Sequence, residues 1–183
     1  MKVFLAATAL LLSTIAARAD EVSDTLESAL AAYNEGDIQY ALEELEYAKQ
    51  LIAAMKTDAL SAFLPAAPDG WTREVNSEMN AGLAFMGGGI GAEADYSRDG
   101  QTFSITIMAD NPMIAAFAGM IGNAGMMGAK LERVGRMKYM NQDGELSGLV
   151  DNRILIQAKG APVDVMIPVL KAIDVKALED FGG

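Results

Sequence analysis

Methionine is the residue type in this chain with the most unusual chemical reach. Met113, Phe117 and Met120 recur at i, i+4 and i+7, one face of a helix, with Ile114 and Ile121 beside them. Met126 and Met127 follow among Gly119, Gly122, Gly125 and Gly128. Thioether sulfurs bind Cu(I) without help from histidine or cysteine. They also fill irregular cores and form adaptable apolar contact surfaces. A copper site needs several methionines close together, and only Met126-Met127 and Met137-x-x-Met140 are spaced that way. The residues therefore read as an interaction surface built from Met113, Phe117, Met120, Met126 and Met127. Phe85 and Met86 extend it from a second apolar, glycine-rich loop. The alternative is a copper carrier, or an enzyme using carboxylate chemistry.

Other chemistries are narrower. The chain has no cysteine and no histidine. That excludes Ser-His-Asp and Cys-His nucleophile systems, zinc held by imidazole or thiolate, and histidine- or thiolate-ligated haem. Glu43, Glu44 and Glu46 could serve as acid–base groups or hold calcium. Acids alternating around a central glycine, as in an EF-hand loop, do not occur, and a solvated helix face is the favoured reading. Gly87-Gly88-Gly89 with Gly91 lacks the Lys-Ser/Thr and the strand-to-helix context of a phosphate cradle. It reads as an apolar loop with an adaptable tip. No catalytic residue, metal ligand or cofactor is assigned, and the expectation is a protein that is not an enzyme.

Export and charge narrow the setting. Lys2, an uncharged apolar run from Phe4 to Ile15, and Ala17-Arg18-Ala19 form the three parts of a secretory signal, with cleavage expected after Ala19. The apolar run is too short to cross a bilayer, which takes ~20 residues. Without Lys2 and Arg18 the chain keeps 12 basic residues against 25 acidic ones, a formal charge of −13. Such a surface repels nucleic acid and anionic lipid. A periplasmic or secreted protein is expected, with no transmembrane anchor after processing and no nucleic-acid partner.

The elements that must position these residues follow from periodicity. Val22, Leu26, Leu30 and Tyr33 recur at helical spacing from Glu21 to Tyr33. Gly36 ends that helix and Asp37 caps the next. Its stripe is Ile38, Ala41, Leu42, Leu45, Ala48, Ile52, Met55, Ala59 and Ala62, stopping near Leu64-Pro65. These stripes predict an antiparallel hairpin over 20–64, with Leu45 in its seam. Pro65-Ala66-Ala67-Pro68-Asp69-Gly70 is a linker, and 71–183 a separate domain. In that domain Ala92 to Tyr96 looks extended, and Ser97-Arg98-Asp99-Gly100 is a hairpin turn. Thr102 to Met108 alternates as a strand. A helix opens at Pro112 after Asp110 and Asn111, which can cap it, and ends at Gly122-Asn123. Lys130 to Met140, Glu145 to Val150 and Arg153 to Ala158 read as further strands, with a turn at Asn141-Gln142-Asp143-Gly144. Pro162 to Ile173 and a short helix capped by Asp174 close the chain. The class is α+β: a helical hairpin, then a largely antiparallel sheet with one inserted helix and C-terminal helices.

Two resemblances accompany this reading. Ala29, Gly36-Asp37, Ala41, Leu45 and Ala48 resemble the small and apolar positions of one tetratricopeptide-type unit. The large residues usual early in its first helix are absent, and Ala53 stands where such units often carry proline. Repeat arrays need at least ~3 units to bury a core, so a single unit implies packing on the rest of the chain or on a partner. Pro68, Gly70 and Trp71, followed by a strand hairpin, an interior helix and more strands up to Phe181, resemble the Mog1/PsbP-type α+β domains. That family includes exported and photosynthetic accessory proteins without a shared catalytic centre, and it transfers no functional residue. The expected function is non-catalytic binding of a protein or apolar ligand in the periplasm. Oligomeric state is left open.

Overall fold

The computed structural model describes residues 4–76, 83 and 88–182, with side chains from residue 20 onward and that of Met127 excepted. The chain divides into two compact units, residues 1–56 and 57–183.

The first unit is a helical hairpin of α1 (Phe4–Glu35) and α2 (Ile38–Ser61), the division falling inside α2. Gly36, at φ +87°, ends α1, and its amide donates to the Tyr33 carbonyl while that of Asp37 reaches Ala32. A left-handed residue after a helix leaves amides free to reach back to its last carbonyls. The Asp37 carboxylate then accepts from the Tyr40 amide at 3.1 Å and caps α2.

The seam differs from the periodic expectation. Thr25, Ala29, Ala32, Ala41 and Ala48 are buried, whereas Leu26, Leu30, Tyr33, Ile38, Leu42, Leu45 and Ile52 are exposed. Interaxial distance follows the size of the contact residues. Two alanine rows bring the helices close, and the contact line rotates onto the small edge of each stripe. The large side chains one edge over stay in water. Leu45, expected in the seam, is 48 % exposed.

The second unit is built on a seven-stranded antiparallel sheet in the order β1-β2-β3-β7-β6-β5-β4. The strands are β1 (Thr72–Asn76), β2 (Ile90–Arg98), β3 (Gln101–Ala109), β4 (Lys130–Val134), β5 (Met137–Gln142), β6 (Glu145–Val150) and β7 (Ile154–Lys159). Among the described residues its longer helical segments are α3 (Met113–Gly122), α4 (Val163–Leu170) and α5 (Val175–Glu179). Three hairpins turn on residue pairs with positive φ: Asp99-Gly100, Asp143-Gly144 and Asp151-Asn152. That conformation matches the twist of the flanking strands, and Asp, Asn and Gly tolerate it.

One expected strand proves to be two. Residues 130–140 turn back at Gly135-Arg136, Gly135 having φ +63°, so Arg133 pairs with Lys138 and Val134 with Met137. β1 had no alternation to give it away, because it is an exposed edge strand of polar residues around Val75.

Alternation gives the sheet two unlike faces. Phe103, Ile105, Ile107 and Ala109 of β3 lie beside Tyr96, Ala94, Ala92 and Ile90 of β2, and Ile105 and Ile107 face Ala158 and Ile156 of β7; all are buried. This apolar face is the core. The Tyr96 ring stacks on Phe103 at 4.7 Å, Trp71 meets Phe103 edge-on at 5.0 Å, and Arg98 lies 4.8 Å over Trp71. Buried aromatics need an outlet for their polar tips. Tyr96 donates to the Pro65 carbonyl at 2.7 Å, and burial pushes its phenol up to about 12.

The hairpin seam yields a paired prediction. Ala48→Leu overpacks an alanine position that is 1 % exposed and lowers stability by ~1–3 kcal/mol. Leu45→Asp, on an exposed side chain, changes the stability of the monomeric chain, read at dilute protein, by about 1 kcal/mol or less. Urea denaturation followed by circular dichroism checks both. The reverse ranking would return Leu45 to the seam.

Candidate functional site

The second face of the sheet carries the polar groups. Asn76, Glu93, Thr106, Gln157 and Ser147 stand directly opposite one another across β1, β2, β3, β7 and β6. Thr106 donates to Glu93 at 2.8 Å. The Gln157 amide donates to Glu145 at 2.9 Å and to Ser147 at 3.2 Å. Thr106 and Ser147 are buried, and buried polar groups need such partners. Among the described residues no buried side-chain nitrogen or oxygen lacks one.

α3 lies near β6 and β7. The Asn111 side chain sets its start, accepting from the Met113 amide at 2.8 Å and donating to the Gly88 carbonyl. Gly89, at φ +100°, passes so near that a Cβ there would come within 2.9 Å of Asn111 and of the Ala109 carbonyl. Gly89 thus serves close backbone approach, whereas Gly88, at φ +89° with open space around it, supplies a left-handed turn. Ile114 is the buried anchor of α3, while Phe117 and Met120 are half-buried.

Between α3 and the β5–β6 hairpin is a cleft of about 320 Å³ lined by Phe117, Met120, Met140, Gln142, Asp143, Glu145 and Ser147. The register pairs Met140 with Ser147 and Gln142 with Glu145, so these four side chains share one face. One wall is apolar and comes from the helix. The other presents acceptors, with Glu145 oriented by Gln157.

Of the residues singled out from sequence, Phe117 and Met120 line the cleft, Met113 is 41 % exposed and Met126 is 89 % exposed. Met126 sits in a 3-10 turn, Ala124–Met127. Phe85 and Met86 lie outside the described residues, as does the side chain of Met127. The Met137 and Met140 side chains point to opposite faces of β5, and both are buried. They cannot hold one ion between them, and the Tyr139 hydroxyl donates to the Met137 sulfur at 3.7 Å. Among the described residues no group of three or more carboxylates is placed to hold a metal. The far wall of the cleft went unread in the sequence. Its signal was there: the Asp143-Gly144 turn fixes the pairing, and alternation then puts Met140, Gln142, Glu145 and Ser147 together.

The same face ends in an acidic edge, where Glu74 pairs with Asp95 across β1 and β2 and Glu93 follows on β2. Partial burial, then Glu93 and Glu74, hold the Asp95 carboxyl above its ordinary value, with Lys159 opposing. Its folded value therefore exceeds its unfolded one. The charged form penalises the folded state at neutral pH, and the penalty fades as pH falls through the folded value toward about 4. Asp95→Asn should raise the melting temperature at pH 7 and lose that advantage near pH 4. An equal or lower melting temperature at pH 7 would contradict the repulsion.

No family model, no curated protein and no solved structure matches the chain.

Proposed function

We propose that this is a non-catalytic binding protein of the periplasm or the secreted fraction, and that it takes an apolar group of a protein or small ligand into the cleft beneath α3. The observation that carries this reading is the pairing of an apolar wall, Phe117 and Met120 over Met140, with a hydrogen-bonding wall of Gln142, Asp143, Glu145 and Ser147. Binding sites combine apolar lining with placed polar groups, in volumes from about 300 Å³ upward, and here the hydrogen-bonding wall presents the larger share of the lining. A cleft of this size accepts one large side chain or a small apolar molecule. Met113 is exposed on the same helix and Met126 on the 3-10 segment, and methionine repacks around unlike shapes. The signal pattern ending at Ala17-Arg18-Ala19 supports an exported location. No helix among the described residues is long and apolar enough to cross a membrane.

The test is a titration of the exported chain with a neutral apolar fluorophore. Phe117→Ala combined with Met120→Ala should weaken binding by roughly tenfold or more, since a buried Phe or Met side chain contributes ~1.5–3 kcal/mol. Leu30→Ala combined with Leu42→Ala, on the helical hairpin, should retain a cleft-bound component. Binding unaffected by the α3 variant would overturn the cleft reading. Stoichiometric Cu(I) lost on Met126→Ala would replace it with a thioether carrier.

A further inference from the structure

The exposed leucines of the helical hairpin are not scattered. Leu26, Leu30 and Tyr33 each follow a seam residue (Thr25, Ala29, Ala32) by one position, about 100° further round α1. On α2, Leu42 follows Ala41 by one, Ile38 precedes it by three and Leu45 follows it by four, roughly 40–100° round in the same sense. Because the helices run antiparallel, equal rotation from the seam brings both sets to the same side of the hairpin. The opposite side is marked independently. Tyr47, one position before Ala48, donates there to Glu21, four before Thr25, at 2.8 Å.

These six residues are between 43 and 64 % exposed. Together they show water on the order of 600 Å² of surface, the upper end of the largest apolar patch on a typical monomer. Two such faces pressed together would bury up to about 1,200 Å², the lower end of the range of specific protein interfaces.

Charge selects the occupant. Between residues 20 and 56 there are nine acids and two lysines. By the same rotation Glu21, Asp24, Glu35, Asp37 and Glu44 fall on the Tyr47 side, and Asp20, Glu27 and Glu43 point away from the seam. The apolar side holds both lysines, Lys49 and Lys56, with Glu46 on its outer edge bonded to Lys49 at 3.3 Å. A basic partner helix finds no carboxylate row there. A second copy meets an identical apolar strip with its acids held off the contact.

We propose that the hairpin face of Leu26, Leu30, Tyr33, Ile38, Leu42 and Leu45 is a self-association surface, pairing two chains about a two-fold axis into a four-helix arrangement. An isologous contact uses one patch on both copies and closes at the dimer. The inference is independent of the cleft beneath α3.

Sedimentation equilibrium of the exported chain tests it. The expected result is a monomer–dimer equilibrium in the micromolar range that tightens as salt screens the repulsion between two acidic hairpins; a contact held by opposite charges would loosen. Leu30→Ala with Leu42→Ala removes four side chains per dimer and keeps helix propensity. It should weaken dimerisation on the order of 100-fold with unchanged circular dichroism. Phe117→Ala with Met120→Ala should leave it unchanged. If the double hairpin variant loses helicity, Leu42→Ala alone is read the same way. A wild-type chain that stays monomeric at about 100 µM in low and high salt would overturn the proposal. So would a dimer that survives loss of Leu30 and Leu42.

Discussion

The period-two alternation of β3, with two strands on one side of it and four on the other, governs the second unit. Phe103, Ile105, Ile107 and Ala109 point one way; Ser104, Thr106 and Met108 point the other. A register slip of one residue would exchange the two sets, placing Thr106 in the apolar core and Ile107 on the polar face. The Asp99-Gly100 and Asp151-Asn152 turns prevent it by fixing the β2–β3 and β6–β7 pairings. Everything proposed for the cleft inherits this constraint. Glu145 and Ser147 stand in its wall because they share a face with Gln157, which sits opposite Thr106.

The same register explains an otherwise puzzling glycine. Gly148 lies in the middle of β6, where glycine normally weakens a strand. A Cβ there would come within 2.8 Å of the Tyr139 ring on β5. The ring therefore lies across the bare backbone, and burial pushes its phenol well above the ordinary tyrosine range. Apolar volume withheld at Gly148 is supplied by its neighbour. The hairpin unit works by the converse device, with volume withheld at Ala29, Ala32, Ala41 and Ala48 and the large residues displaced outward. A small residue leaves room in both places, filled at Gly148 by the Tyr139 ring and in the hairpin by the close approach of the facing helix.

Much of this was legible in the sequence, and the failures have physical causes. Gly36-Asp37, Asp99-Gly100, Asp143-Gly144 and Asp174 announce their turns and caps, because the chemistry of a turn is local. The strand of β3 was legible because both of its faces carry a consistent side-chain type. Gly135-Arg136 was not read as a turn, since the flanking Val134 and Met137 continue an apolar pattern straight through it. β1 was missed because its pairing partner, not its own sequence, makes it a strand. In the hairpin, periodicity located each apolar stripe and not the line of contact within it, which depends on how closely two backbones approach. The helix wall of the cleft was found from the spacing of Phe117 and Met120. Its strand wall needed a pairing register that no single strand reveals.

The central claim is that this fold leaves specific apolar side chains in water while neighbouring ones are sealed. Methionine methyl resonances report on both kinds at once. With the methionine methyls isotopically labelled, a neutral paramagnetic relaxation agent should broaden Met126 strongly and Met113 substantially. Met137, Met140 and Met166, each at most 8 % exposed, should be broadened far less. Protection of Met113 and Met126 at the level of Met166 would contradict the account, since those side chains would then belong to a core.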